Sequence, residues 1–222
     1  GEHLAKAVSG YKKVAIITEQ LDYALGIRDV FVEAMKAYPG ASIVSNEVFP
    51  KSGNDFRGIL AKVKATNPDA VVLNPMAGVT AQNLLKQLAE IKSWTGYRLY
   101  GQYAYIADSA REATGAFAEG MTVIDVPNIA KAEFTAMYSD IESTKGTLKD
   151  LATYYTASTI DALDLITAEI TKLGNDPVKV QNDLSTGSFK GFIGDIVFNG
   201  NNFFHFNTPG IYVIKEGKAV LQ

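Results

Sequence analysis

The sequence has no cysteine, and its two histidines, His3 and His205, stand far apart. A disulfide framework, a thiol nucleophile, a CxxC redox pair and a thiolate metal site are thereby excluded. The absence of cysteine is compatible with an oxidising compartment. No run of eighteen or more apolar residues occurs, so no transmembrane helix is expected. The opening residues lack the charged-then-apolar pattern of a secretory leader, which implies that an exported form has lost it. Charge of one sign is also scarce. The 21 Lys and Arg nearly balance 24 Asp and Glu for a net charge of −3, and no basic stripe or polybasic cluster is present. Nucleic acid and membrane surfaces are therefore not expected partners.

Catalytic signatures are missing as well. There is no GxGxxG or GxxxxGK[ST] phosphate loop, no HExxH, no GxSxG elbow and no EF-hand loop, so no cofactor, no metal and no enzymatic activity of those classes is expected. The acidic pairs Glu19 with Asp22 and Asp108 with Glu112 read as helix caps or solvated charges rather than acid/base machinery.

What is present is a soluble composition, 47% hydrophobic over 222 residues, enough for one large domain or two small ones. Lys13-Val14-Ala15-Ile16-Ile17-Thr18 is a short run of β-formers, and residues 25–38 carry apolar positions at helical spacing before Pro39-Gly40 stops them. The alternation continues with a strand at 42–48 and a helix at 55–66 capped by Asn54 or Asp55. A strand at 70–73, a helix at 80–92, a strand at 98–101, a short helix at 107–114 and a strand at 121–126 follow. Repeated β-α units predict a parallel, doubly wound α/β sheet, and the strands without polar alternation fit burial on both faces.

After Pro127 the pattern turns helical, at 130–141, at 151–173, and from Pro177 at a first-turn position. Short strands at 189–198, 203–206, 211–214 and 219–221, broken by Gly and Asn, predict hairpins. The helix at 151–173 has an apolar face and no adjacent strands to cover it. In an open α/β sheet, ligands sit beyond the carboxyl ends of the strands, so the segments carrying Tyr23, residues 74–77, Tyr103 and Tyr105 share one candidate rim. Each tyrosine has two readings, as a ligand contact or as a cover for the sheet edge.

Several segments together carry a resemblance. They are Lys13-Val14-Ala15-Ile16-Ile17 with Tyr23-Ala24-Leu25-Gly26, Asn54-Asp55-Phe56, Asn67-Pro68-Asp69-Ala70-Val71-Val72, Gly115-Ala116-Phe117-Ala118-Glu119-Gly120-Met121 and Ile160-Asp161-Ala162. Residues 194–198 and Lys215-Glu216-Gly217-Lys218 complete the set. In their order and spacing the chain resembles the leucine/isoleucine/valine-binding proteins among type I periplasmic substrate-binding proteins.

The resemblance implies two α/β lobes closing on a ligand. Residues 10–126 and 209–222 are then expected to form the second lobe, and 128–208 the returning, helical part of a first lobe whose opening strands have no counterpart here. It implies an extracytoplasmic component of an ABC importer, periplasmic or extracellular, lipid-anchored or secreted. The implied partners are a small amino acid or small carboxylate ligand and a membrane permease. A sensory module of the same fold is the alternative reading, and an α/β enzyme without its standard motif the third. The apolar face of the long helix, with Ile160, Leu163 and Ile170, is expected to be exposed, to pack on a second copy in self-association, or to fold back.

Carried over residue by residue, Tyr23 matches a ligand-covering aromatic and Tyr155 an aromatic from the other lobe. Met76 and Gln102, which follow expected strand ends, complete the expected ligand-binding set with Ala77 and Tyr103. Ala77 stands in place of a second tyrosine, and Tyr103 stands where amino-acid binders carry the glutamate that pairs with the ligand ammonium. A phenol is neutral at pH 7 and does not supply that attraction. A neutral or anionic organic ligand, such as an aromatic or aliphatic carboxylate, thereby becomes a candidate. Glu119 precedes its strand and is expected at the opposite sheet edge in a structural role.

Overall fold

The computed structural model describes residues 1–51, 53–76, 78–91, 98–106, 115–126, 132–145, 153–198, 200 and 209–222. The expected helix at 107–114, the expected strand at 203–206, the Asp108–Glu112 pair and Ala77 lie outside them. The chain divides into two units, residues 1–125 with 209–222, and residues 126–208.

Unit 1 is built on a seven-stranded sheet. Its strands are β1 (Lys13–Glu19), β2 (Ser42–Phe49), β3 (Ala70–Asn74), β4 (Arg98–Gln102) and β5 (Thr122–Asp125), with β8 (Gly210–Lys215) and β9 (Lys218–Leu221) from the chain end. Their order is β2-β1-β3-β4-β5-β8-β9, with β1 to β5 parallel and β8 and β9 antiparallel. Among the described residues, four helices cover it: α1 (Glu2–Val8), α2 (Asp22–Met35), α3 (Arg57–Ala65) and α4 (Gly78–Glu90).

The strand sequences explain this layering, because successive side chains of an extended chain point to opposite faces. Val14, Ile16, Ala70 and Val72 pack with Leu4 and Val8 of α1 and Phe31 and Met35 of α2. Ala15, Ile17, Val71 and Leu73 pack with Leu60 and Val63 of α3 and Leu84, Leu85 and Leu88 of α4. Both faces of the central strands are buried, so both sets of positions are apolar. Sequence periodicity did not mark α1, whose seven residues are too few for a clear stripe. Neither Asn54 nor Asp55 is the N-cap of α3, which is Phe56. Asp55 instead accepts from the backbone N–H and guanidinium of Arg57.

Unit 2 contains α5 (Ala132–Lys145), α6 (Thr153–Leu173), α7 (Pro177–Thr186) and the antiparallel hairpin of β6 (Ser188–Gly191) and β7 (Gly194–Val197). Asp176 caps α7 by accepting from the N–H groups of Val178 and Lys179, with Pro177 in the first turn as expected. Phe134 and Ala157 centre a small core with Met137, Tyr138, Ile160, Phe192 and Ile193. Asp161 is 5% exposed, and its two oxygens accept from the N–H groups of Phe192 and Ile193 at 2.7 and 2.8 Å. This carboxylate ties the hairpin turn to α6. Among the described residues the hairpin is the only sheet of unit 2. Of the apolar α6 positions, Ile160 packs in this core whereas Leu163, Ile166 and Ile170 are exposed.

Candidate functional site at the carboxyl edge of the parallel sheet

Strand order locates the site. The chain steps from β1 outward to β2, then returns past β1 to β3, β4 and β5. Connections on the two sides therefore cover opposite faces and diverge between β1 and β3, the place where ligands of open α/β sheets sit, beyond the carboxyl ends of the strands. Two polar residues face each other there, since Thr18 and Asn74 are register partners and both are fully buried. The Asn74 amide donates to the carbonyl of Ala24 in the first turn of α2 at 2.8 Å. Its Oδ1 and the Thr18 hydroxyl make no hydrogen bond to the described residues. Such exceptions are rare in folded interiors.

Tyr23 lies in the first turn of α2 and is 60% exposed. Partial desolvation, and after it the charge of Asp125, hold its phenol above the usual value. Asp125 ends β5 and has the same secondary influence on Tyr212 of β8, whose phenol is also raised mainly by burial.

The loop after β3 is held from two directions. Glu19, 1% exposed at the end of β1, accepts from the Met76 N–H through Oε2 at 2.7 Å. Tyr103, in the 3-10 turn Tyr103–Tyr105 after β4, donates its hydroxyl to the Met76 carbonyl at 2.8 Å. Gln102 is buried. Its amide nitrogen donates to the Pro75 carbonyl, and its Oε1 accepts from the Ala104 N–H. Met76 is half-buried between these partners.

Tyr23, Met76, Gln102 and Tyr103 therefore share one sheet edge. Tyr155, in the first turns of α6, belongs to unit 2 and is 53% exposed. Tyr105 is not part of the rim. It is fully buried in the core with Met121 and Val123, and burial pushes its phenol well up. The tight turn after β4 swings this side chain under the sheet. The fit depends on Gly101, where a Cβ would lie 2.5 Å from both Tyr105 and Met121. Glu119 lies just before β5, at the other end of the strands. Its carboxylate accepts from the Glu216 N–H at 3.1 Å, in keeping with a structural role.

Two residues escaped the sequence reading. Glu19 reads in sequence as a helix cap or a solvated charge, yet it extends the buried pattern of β1. Asp125 carried no motif, and only its strand position brings it to this edge. Unit 2 has a concavity of its own, about 440 Å³, lined by residues that include Ile166, Ile170, Pro177, Val180, Leu184 and Phe198. Its wall is largely aliphatic and aromatic, and its carboxylate, Asp176, already caps α7.

Comparison with solved structures gives several full-length overlays of this chain. A leucine-binding protein of Thermotoga maritima superposes with a TM-score of 0.78 at 18% identity, covering 100% of this chain and 63% of that one. A solute-binding protein of an R. palustris ABC transporter, in complex with 4-hydroxybenzoate, gives 0.80 at 18%, covering 100% and 62%. The branched-chain amino acid transporter substrate-binding protein of Streptococcus pneumoniae, in complex with isoleucine, gives 0.73 at 20%, covering 99% and 63%. The chain thus spans less than two thirds of the length of these proteins, and the likeness establishes a shared type I fold. A comparison with curated proteins finds no match. The family model of the periplasmic binding proteins matches residues 1–215, and the chain belongs to that family.

Proposed function

We propose that this chain is the solute-binding component of an ABC importer of the branched-chain amino acid type. It works outside the cytoplasm, holds a small amino acid or organic acid without altering it, and presents it to a membrane permease. The observation that carries this reading is the convergence of Tyr23, Met76, Gln102 and Tyr103 beside the β1/β3 reversal. This is where an open α/β sheet offers a crevice, and an exposed aromatic beside buried, already bonded polar groups suits binding rather than turnover.

The bound ligands of the R. palustris and S. pneumoniae proteins support the ligand class. Ligand contacts by Ala77 and by Tyr155 of unit 2 rest on the family resemblance, as does the assignment of unit 1 to the second lobe and unit 2 to the returning first lobe. A thermal-shift screen against amino acids and small carboxylates tests the reading, because a ligand that binds only the folded state raises its melting temperature. At least one compound is expected to raise it, and Tyr23→Ala to abolish the rise. No shift with any compound, or a shift indifferent to Tyr23→Ala, contradicts the proposal.

A further inference from the structure

The two central strands turn from apolar to polar at their carboxyl ends. β1 is apolar from Val14 to Ile17 and closes on Thr18 and Glu19, and β3 is apolar from Ala70 to Leu73 and closes on Asn74. These polar residues are buried, Glu19 at 1% exposed and Thr18 and Asn74 at 0%. Burying a polar side chain costs stability unless it is hydrogen-bonded, so the partners of Glu19 and Asn74 identify what each residue does.

Those partners are exchanged between the strands. Glu19, the last residue of β1, accepts through Oε2 from the N–H of Met76 in the segment after β3. Asn74, the last residue of β3, donates to the carbonyl of Ala24 in the helix after β1. Each strand end thus holds the segment that leaves its neighbour. The two bonds start from opposite faces of the sheet, because Glu19 continues the face of Ala15 and Ile17 whereas Asn74 continues that of Ala70 and Val72. Leu21, at the N-cap of α2, supplies no side-chain acceptor. The Asn74 amide therefore places a helix start that has no side-chain cap of its own.

The two held segments carry the rim residues Tyr23 and Met76. Resting on the site reading proposed above, we infer that Glu19 and Asn74 are its positioning residues: they touch no ligand, and they set Met76 and Tyr23 in the binding geometry before a ligand arrives. Both side chains are covered and both act on backbone atoms, one at Met76 itself and one at the neighbour of Tyr23. Tyr23 is 60% exposed, so on an unheld helix turn it would have to be ordered when a ligand binds. Groups fixed beforehand avoid that ordering cost, and releasing them lowers affinity without removing a ligand contact.

The test joins calorimetric titration with leucine and 4-hydroxybenzoate to amide hydrogen exchange of the unliganded chain. Both are run on the parent and on Glu19→Gln, Glu19→Ala, Asn74→Leu and Tyr23→Ala. Glu19→Gln keeps an acceptor for the Met76 N–H, and Asn74→Leu keeps the side-chain shape while losing the donor. Glu19→Ala and Asn74→Leu are each expected to weaken the compound that the parent binds by about fivefold or more, and Glu19→Gln to retain most of the affinity. Exchange should quicken at Met76 in Glu19→Ala and in the first turns of α2 in Asn74→Leu. Thermal melting in the absence of ligand reports whether each variant is folded, and Asn74→Ala takes the place of Asn74→Leu if the latter is not. An affinity equal to the parent's, or unchanged exchange at the held segment, in Glu19→Ala or Asn74→Leu overturns the role of that residue while leaving the site reading intact. Equal losses in Glu19→Gln and Glu19→Ala overturn the acceptor role of Glu19. Binding unaffected by Tyr23→Ala, or no binding of either compound by the parent, overturns the site reading and the positioning roles together.

Discussion

The Tyr103 hydroxyl donates to the carbonyl of Met76 at 2.8 Å, so the phenol that stands where a ligand-pairing acid is expected is engaged in holding the neighbouring loop. Its role is to fix the rim after β3 together with Glu19, which takes the Met76 N–H from the other side. Tyr103→Phe keeps the ring and removes one neutral hydrogen bond, with an expected cost of about 1 kcal/mol in unfolding free energy. Faster amide exchange should be confined to the loop around Met76. Urea denaturation and hydrogen exchange check this, and an unchanged Met76 environment contradicts it. Tyr103→Glu would bring a carboxylate against that carbonyl, so this substitution is a poor way to add charge to the site.

Asp161 offers a second test, in unit 2. Its carboxylate satisfies two backbone N–H groups of the hairpin turn, and Asp161→Ala leaves both without an acceptor in a half-buried setting. A loss of about 3 kcal/mol is expected from two bonds to a charged acceptor. Gly191→Ala should fail for a related reason, since its Cβ would lie 2.4 Å from the Asp161 carboxyl group. Denaturant midpoints of the two variants check this. A midpoint near the parent's for Asp161→Ala would show that the hairpin is held by other contacts.

Much of the fold was legible because burial on two faces writes itself into composition. Val14 to Ile17 and Ala70 to Leu73 are apolar without alternation, and both are central parallel strands. Of the helices that cover them, α2, α3 and α4 carried stripes that periodicity reveals, and the short α1 did not. The site was less legible, for reasons of geometry. Tyr103 and Tyr105 look alike in sequence, but one turn of 3-10 helix sends the first to the rim and the second into the core. Glu19 and Asp125 carry no motif. Their strand positions bring them to this edge, which local sequence does not encode.

The tyrosines make stability fall at alkaline pH. Tyr105 is held well above its ordinary value by burial, Tyr100 is raised by burial and by its contact with Tyr11, and Tyr23 and Tyr212 are raised by desolvation and by Asp125. In the unfolded chain these phenols lose their protons near pH 10, before the folded ones do. Their contribution is therefore fully present below about pH 10 and declines as pH rises beyond it. Melting temperature should drop between pH 9 and pH 11, and Tyr105→Phe should make that drop shallower. In ultraviolet titration, Asp125→Asn should lower the ionisation midpoint of Tyr23. An unchanged Tyr23 midpoint would show that Asp125 does not act on that phenol.

The central claim, that a small molecule binds at the carboxyl edge of the unit 1 sheet, is tested most directly by amide chemical-shift mapping. The labelled chain is titrated with leucine and with 4-hydroxybenzoate. The account predicts that the binding compound perturbs Tyr23, Met76, Gln102, Tyr103 and Asp125 and leaves the opposite edge, at Lys13, Asp69 and Glu119, unchanged. Perturbations gathered at Lys13, Asp69 and Glu119, or none with either compound, would contradict it.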